Sequence, residues 1–280
     1  MNYLKFEFNL IDDLHEIVIA ELMDIDFYGF EQFDDKLIAY VEKSRFNDSH
    51  RELIEQLITH YPEASFSELE EVEDQNWNET WERTIQPQNI GKFLVKPTWA
   101  LQEPADDEIL LEIDPKMAFG TGYHATTRLI LRQLNSVHFD DKQVMDAGTG
   151  TGILAIASIK LGAKSAIGFD IDPWSKENAF ENAVINQVQD NVVIRFGGIE
   201  QIKPDEIFDV TLANINRNVI LEIIPFLVEK TIPGGTILIT GLLDTDEEII
   251  REKLASMPVQ ITDLQQEEEW ILFQLIKNSA

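Results

Sequence analysis

Cysteine is absent from the 280-residue chain, which excludes disulfides, thiol nucleophiles and thiolate metal sites. The five histidines show no His-Glu-x-x-His spacing, so we predict no metal site. No apolar run reaches 18 residues, so we predict no membrane span. The start, Met1–Glu7, lacks a basic segment followed by an apolar core. We therefore expect no signal peptide and a cytoplasmic protein.

Basic residues are scarce. The chain carries 22 Lys and Arg against 51 Asp and Glu, a formal net charge of −29. A protein with this negative charge repels a phosphate backbone and attracts a basic partner, although acidic surfaces also simply keep proteins soluble. The charge therefore favours a basic substrate and gives no support for direct nucleic-acid binding. A hydrophobic content of 44% indicates a globular chain, long enough for one large core or two domains.

A glycine-rich stretch, Val144-Met-Asp-Ala-Gly-Thr-Gly-Thr-Gly152, predicts a strand, a tight loop and the start of a helix. The following strand ends in Gly168-Phe-Asp-Ile-Asp-Pro173. Its Asp170 lies 22 residues beyond Gly148, close to the spacing of about 20 at which an acid reaches ribose hydroxyls. Together the two segments indicate the nucleotide half of a Rossmann-like sheet.

The glycine spacing differs from that of dinucleotide-binding proteins. Their third glycine stands three places after the second, where this chain has Ile153. Gly-x-Gly-x-Gly behind an acid, here Asp146, is typical of enzymes that bind S-adenosylmethionine. An acid beside the loop suits the ammonium of a methionine tail and would repel a pyrophosphate.

The first 73 residues predict a small α+β domain with the ferredoxin-like order strand, helix, two strands, helix, strand. Residues 74–86 predict a linker helix, with Trp77 and Trp81 on one face, for which ordinary packing is the favoured role. From residue 87 to 280, strands and helices alternate, which implies βαβ crossovers and a parallel sheet. Residues 259–264 and 270–276 predict an antiparallel closing pair, as is typical of S-adenosylmethionine-dependent methyltransferases.

A second motif, Asp114–Thr127, precedes the glycine loop by one helix. Gly120 and Gly122 make it mobile, and it carries two aromatic side chains, which favours a lid beside the cofactor pocket. Thr126 and Thr127 place hydroxyls at a helix start, where they could cap the helix or bond a ligand carboxylate.

These motifs together resemble the protein methyltransferase A family, the bacterial methyltransferases of large-subunit ribosomal protein eleven. The resemblance is strongest over residues 70–280 and is architectural before them. It rests on six segments: Phe119-Gly-Thr-Gly-Tyr-His-Ala-Thr-Thr127, Asp146–Gly152, Gly168–Pro173, Ala213-Asn-Ile-Asn216, Glu73-Asp-Gln-Asn-Trp77 and Glu268-Glu-Trp270.

The resemblance implies a substrate-recognition domain, a linker and a seven-stranded class I methyltransferase domain that binds S-adenosylmethionine. It places the cofactor contacts on Thr127, Gly148, Asp170 and Asn214. Thr127 would bond the methionine end, Gly148 would bring its backbone near the ligand, and Asp170 would accept the ribose hydroxyls. Asn214 ends the fourth strand, where a ligand crevice is expected; without the resemblance it would be interpreted as a turn residue.

The implied function is N-methylation of lysine or N-terminal α-amines of ribosomal protein eleven, and we expect a monomer. A lysine amine, with an ordinary pKa of about 10.4, must lose its proton before it attacks a methyl group. His124 is the one side chain of the second motif suited to take a proton near neutrality, but a histidine that holds the loop is the favoured interpretation. We therefore name no catalytic residue.

Three alternatives remain. The first is a methyltransferase of RNA or of a small molecule. The net charge disfavours RNA as the substrate, and Asn214 is not followed by the Pro-Pro-Tyr that is typical of base and amide methyltransferases. A nicotinamide-dependent oxidoreductase is disfavoured by the displaced third glycine and by Asp146. An inactive module with the same fold is compatible with the sequence, because a fold does not guarantee turnover.

Overall fold

A computed structural model describes residues 2–10, 14–23, 25–33, 35–59, 61, 64–73, 85–116, 120 and 122–279. The chain divides into two compact units, Met1–Thr80 and Trp81–Ala280. The predicted linker helix, as far as residue 84, lies outside the described residues with Trp77, Trp81 and Phe119. The linker and the domain roles therefore stay predictions.

The first unit contains the predicted succession of elements. Its sheet has the order β2-β3-β1-β4, and each pair of neighbours is antiparallel. Phe6 and Phe8 are fully buried because alternate residues of β1 share the covered face. The ferredoxin-like assignment stays a prediction. The elements are β1 (Asn2–Asn9), α1 (His15–Met23), β2 (Phe27–Phe33), β3 (Lys36–Glu42), α2 (Asp48–Thr59) and β4 (Ser65–Glu73).

The second unit alternates strands and helices. Its elements are β5 (Gln88–Ile90), β6 (Phe93–Lys96), β7 (Ile109–Glu112), α3 (Ala125–Leu134), β8 (Gln143–Ala147), α4 (Ile153–Lys160), β9 (Ser165–Asp170), α5 (Pro173–Ile185), β10 (Val192–Phe196), β11 (Phe208–Asn214), α6 (Arg217–Lys230), β12 (Thr231–Leu243), α7 (Glu247–Ala255), β13 (Val259–Glu267) and β14 (Trp270–Lys277).

Seven of these strands form one sheet of order β10-β9-β8-β11-β12-β14-β13. The strands β8 to β12 pair in parallel, and β14 runs antiparallel to both of its neighbours. The predicted seven-stranded methyltransferase sheet with an antiparallel closing pair is confirmed. The strand order reverses at β8, so a ligand crevice is expected outside the carboxyl ends of β8, β9 and β11.

Two elements have little signal in the sequence. The strand β5 has only three residues, and it joins β6 and β7 in a separate sheet. The helix α7 buries only Ile250 and Leu254 and is otherwise rich in charge, so its apolar stripe is short. At the start of α5, the sequence Asp172-Pro173 predicts an N-cap followed by the first helical residue. The structure agrees, since the side chain of Asp172 accepts the N–H of Trp174 at 3.0 Å.

Candidate active site

A cavity of about 750 Å³ lies at the carboxyl ends of the central strands. Three of the four predicted cofactor contacts line it, namely Gly148 after β8, Asp170 at the end of β9 and Asn214 at the end of β11. The fourth, Thr127, is fully buried and does not line it. The predicted residues therefore converge on one site although they are distant in sequence.

The glycine loop has a backbone that only glycine adopts without strain. Gly148 and Gly150 have φ angles of +71° and +54°. A Cβ on Gly148 would lie 2.2 Å from Cγ2 of Ile215, and a Cβ on Gly241 would lie 2.2 Å from the carbonyl oxygen of the same residue. Ile215, the residue after β11, therefore packs between Gly148 and Gly241. Because Gly148 and Gly150 have no side chains, the backbone of the glycine loop is exposed to the cavity.

The carboxylate of Asp170 is held in place by two backbone amides. Its Oδ2 accepts the N–H of Gly150 at 2.9 Å, and its Oδ1 accepts the N–H of Asp172 at 2.9 Å. Each carboxylate oxygen can accept a second hydrogen bond. A fixed carboxylate in a cavity wall, with acceptor capacity on both oxygens, suits a vicinal diol such as that of ribose.

Thr127 and Asn214 act as a pair in this structure. The Nδ2 of Asn214 donates to Oγ1 of Thr127 at 3.3 Å. Because Thr127 is fully buried, its visible role is to orient the amide of Asn214 in the cavity wall. The neighbouring Thr126 lines the cavity instead.

His124 begins the helix α3. Its side chain accepts the N–H of Thr126 as the N-cap, so neither of the two threonines considered for that role caps the helix. The ring packs edge-to-face on Trp270, with the ring centroids 4.6 Å apart, and both rings line the cavity. Burial, followed by the charge of Arg128, lowers the pKa of His124 below its ordinary 6.5. The ring is neutral at pH 7, as an acceptor at an N-cap must be.

We expect His124→Asn to keep turnover within about threefold of the wild type, because asparagine is an equally good N-cap and cannot take a proton. Turnover at saturating substrates and pH 8 is the measurement. His124→Ala, the control, should lose about 1 kcal/mol of folding free energy with the cap. A loss of about 100-fold in a folded His124→Asn variant would instead make His124 a general base.

Asp146 lies behind the glycine loop rather than in the cavity wall. It is fully buried, its Oδ2 accepts the hydroxyl of Thr149 at 2.7 Å, and it does not line the cavity. Burial raises its pKa to about 7. The structure thus gives the acid a place in the support of the loop and not the direct contact with a ligand ammonium that the sequence favoured.

One wall of the cavity was missed by the sequence analysis. Gly197 and Gly198 follow β10, and Gly197 donates its N–H to the carbonyl of Asp170 at 2.8 Å. Ile171 and Ile199 offer apolar faces there, and Ile171 is 76% exposed. The only signal in the sequence was a glycine pair directly after a strand. The same wall is apolar enough to hold a flat heterocycle.

The described residues contain no group of three or more acidic, histidine or cysteine side chains arranged to hold a metal ion. Among the same residues, no helix is long and apolar enough to cross a membrane.

A family model described as "Ribosomal protein L11 methyltransferase (PrmA)" matches residues 15–278. The chain belongs to this family. A ribosomal protein L11 methyltransferase of Chlorobaculum parvum is 37% identical over 275 residues, which cover 96% of this chain and 95% of the relative. That of Phocaeicola vulgatus is 31% identical, with 99% of each chain covered.

A solved structure agrees with the sequence relatives. The crystal structure of ribosomal protein L11 methylase from Lactobacillus delbrueckii subsp. bulgaricus has a TM-score of 0.65 and 29% identity, and it covers 70% of this chain and all of its own. The predicted family is confirmed. With it the predicted enzyme class, a protein methyltransferase that uses S-adenosylmethionine, is confirmed.

Proposed function

We propose that the chain transfers methyl groups from S-adenosylmethionine to lysine or N-terminal α-amines of ribosomal protein L11. The observation that carries the proposal is the convergence of Gly148, Asp170 and Asn214 on one cavity in a member of this family. Asp170 would accept the ribose hydroxyls, and Gly148, which has no side chain, would let the methionine part approach its backbone closely. Ile171 and Ile199 would enclose the adenine.

The opposite end of the cavity would receive the acceptor amine. We assign to that end four residues of the cavity wall, Asn214, Thr126, His124 and Trp270, none of which is a carboxylate or a cation at neutral pH. The amine nitrogen forms a bond to the methyl carbon while the carbon–sulfur bond breaks, which leaves S-adenosylhomocysteine and a protonated amine. Catalysis then consists of holding the amine about 3–3.5 Å from the methyl carbon, in line with the sulfur.

Desolvation helps the amine to lose its proton. A charged ammonium that packs against the rings of His124 and Trp270 loses part of its hydration, and burial lowers the pKa of an amine. The lost proton leaves to water, so no fixed base is required. A site without a fixed base also allows the amine to turn between successive methylations.

The charge of the chain supports the choice of substrate. A net charge of −29 attracts a basic protein and speeds its arrival. We assign substrate recognition to residues 1–73, and we place the enzyme in the cytoplasm as a monomer without direct binding to nucleic acid. These assignments rest on the family and on the charge.

The test is transfer of labelled methyl from S-adenosylmethionine to purified ribosomal protein L11, with free ribosomal RNA as a parallel acceptor. We expect label on the protein and none on the RNA. Label on the RNA alone would refute the substrate and favour the alternative RNA methyltransferase. Cofactor binding without any transfer would favour the inactive module.

A further inference from the structure

Three asparagines stand four residues apart, two on one face of α5 and the third at its C-cap. Asn178, Asn182 and Asn186 are only 3%, 0% and 7% exposed. A buried amide is costly unless its hydrogen bonds are made, and the buried face of a helix is ordinarily apolar. These side chains are therefore present to bind polar groups.

Their partners are backbone groups at the edge of the small sheet. Asn186 donates to the carbonyl of Glu112 at 2.6 Å and accepts its N–H at 3.1 Å. Asn182 does the same at Asp114, at 3.2 and 3.0 Å. Bonds to every second residue are the pattern that a neighbouring strand would make. The helix face thus takes the place of a strand beside β7, the edge strand of its sheet.

Asn182 makes two bonds that Asn186 does not. Its Nδ2 also donates to Oδ1 of Asn178 at 3.4 Å and to the carbonyl of Thr151, inside the glycine loop, at 2.9 Å. The hydroxyl of Thr151 in turn donates to the carbonyl of Gly120 at 2.7 Å, and Thr151 is fully buried. Gly120 belongs to the segment that leads to His124. Asn182 therefore joins the glycine loop to the second motif, directly at Asp114 and through Thr151 at Gly120.

We propose that Asn182 is a positioning residue for methyl transfer. It holds the glycine loop, and with it the methionine end of the cofactor, at a fixed distance from the segment that carries His124 at the acceptor end. The proposal rests on the proposed function. Asn182 does not line the cavity, so it acts through Thr151 and not by contact with a ligand.

The experiment compares Asn182→Ala with Asn186→Ala as the matched control. Both variants lose a donor and an acceptor at the edge of β7, but only the first loses the bond to the glycine loop. We expect kcat at saturating substrates to fall about tenfold or more in Asn182→Ala and by less than about twofold in Asn186→Ala, because small misplacements of reactants are costly. The dissociation constant of S-adenosylmethionine should stay within about threefold in both. Equal kcat values in the two variants would overturn the proposal.

Thr151→Val provides a second variant if Asn182→Ala does not fold. It keeps the shape of the side chain and removes only the hydroxyl that bonds to Gly120. We expect a fall in kcat in the same direction with a nearly unchanged cofactor dissociation constant. A kcat equal to that of the wild type would count against the connection.

A readout without an acceptor separates this inference from the proposed function. If the wild type fails to methylate ribosomal protein L11, the proposed function fails. Hydrogen exchange of the amides in residues 148–154 then still decides the role of Asn182. Faster exchange in Asn182→Ala but not in Asn186→Ala would support the connection to the loop, and equal exchange would refute it.

Discussion

Asp170→Ala is expected to weaken the binding of S-adenosylmethionine roughly 100- to 20,000-fold. Two hydrogen bonds from ribose hydroxyls to a carboxylate contribute about 1.5–3 kcal/mol each, and about 1.4 kcal/mol corresponds to a factor of ten. The substitution also removes the acceptor for the N–H groups of Gly150 and Asp172, so the loop loses its anchor. Isothermal titration with S-adenosylmethionine measures the effect directly.

Two controls make this result specific to the carboxylate. Asp170→Asn keeps one acceptor oxygen in place, and we expect a loss of about tenfold. Asp190→Ala changes an exposed acid that does not line the cavity and should leave affinity unchanged. An affinity in Asp170→Ala within threefold of the wild type would show that Asp170 does not hold the ribose.

Asp146→Asn should stabilise the protein at neutral pH. Burial raises the folded-state pKa of Asp146 from 3.8 to about 7, so the folded protein keeps a proton that the unfolded chain releases. Stability is therefore lost as the pH rises from about 4 to about 7 and is flat above, with a total cost of about 4 kcal/mol. Asparagine has the shape of the neutral acid and does not ionise. Its advantage over the wild type should grow by about 3 kcal/mol between pH 5 and pH 8.

Urea unfolding at a series of pH values, followed by tryptophan fluorescence, measures this advantage. Asp190→Asn is the matched control, because it replaces an exposed acid and should follow the wild type at every pH. An advantage of Asp146→Asn that is the same at pH 5 and pH 8 would mean that the buried acid is ionised throughout that range.

The sequence predicts those parts of the fold in which a local pattern matches a regular element. The strands β8 and β9 and the cap at Asp172 follow from apolar runs, glycine spacing and turn chemistry, and the structure contains them. The closing pair β13 and β14 follows from two apolar strands around a polar turn. The helix α7 does not, because only two of its residues face the core.

The site was predictable in its residues but not in its contacts. The motifs selected Gly148, Asp170 and Asn214, which line one cavity. Sequence spacing could not show that Thr127 lies behind Asn214, or that Asp146 is sealed beneath the loop, because burial depends on packing between distant elements. The wall at Gly197 was missed for the same reason.

Ile215 packs tightly between Gly148 and Gly241, and this packing limits how the cavity can be redesigned. A side chain added at Gly241 would meet the backbone of Ile215, and one added at Gly148 would meet the Ile215 side chain. Both glycines also have positive φ angles, so neither position can be varied to reshape the acceptor end. A smaller residue at position 215, which lines the cavity, would enlarge it. Directed evolution toward bulkier amines should therefore randomise position 215 and keep both glycines. Most variants at Gly148 or Gly241 would have a distorted cavity wall and no activity to select.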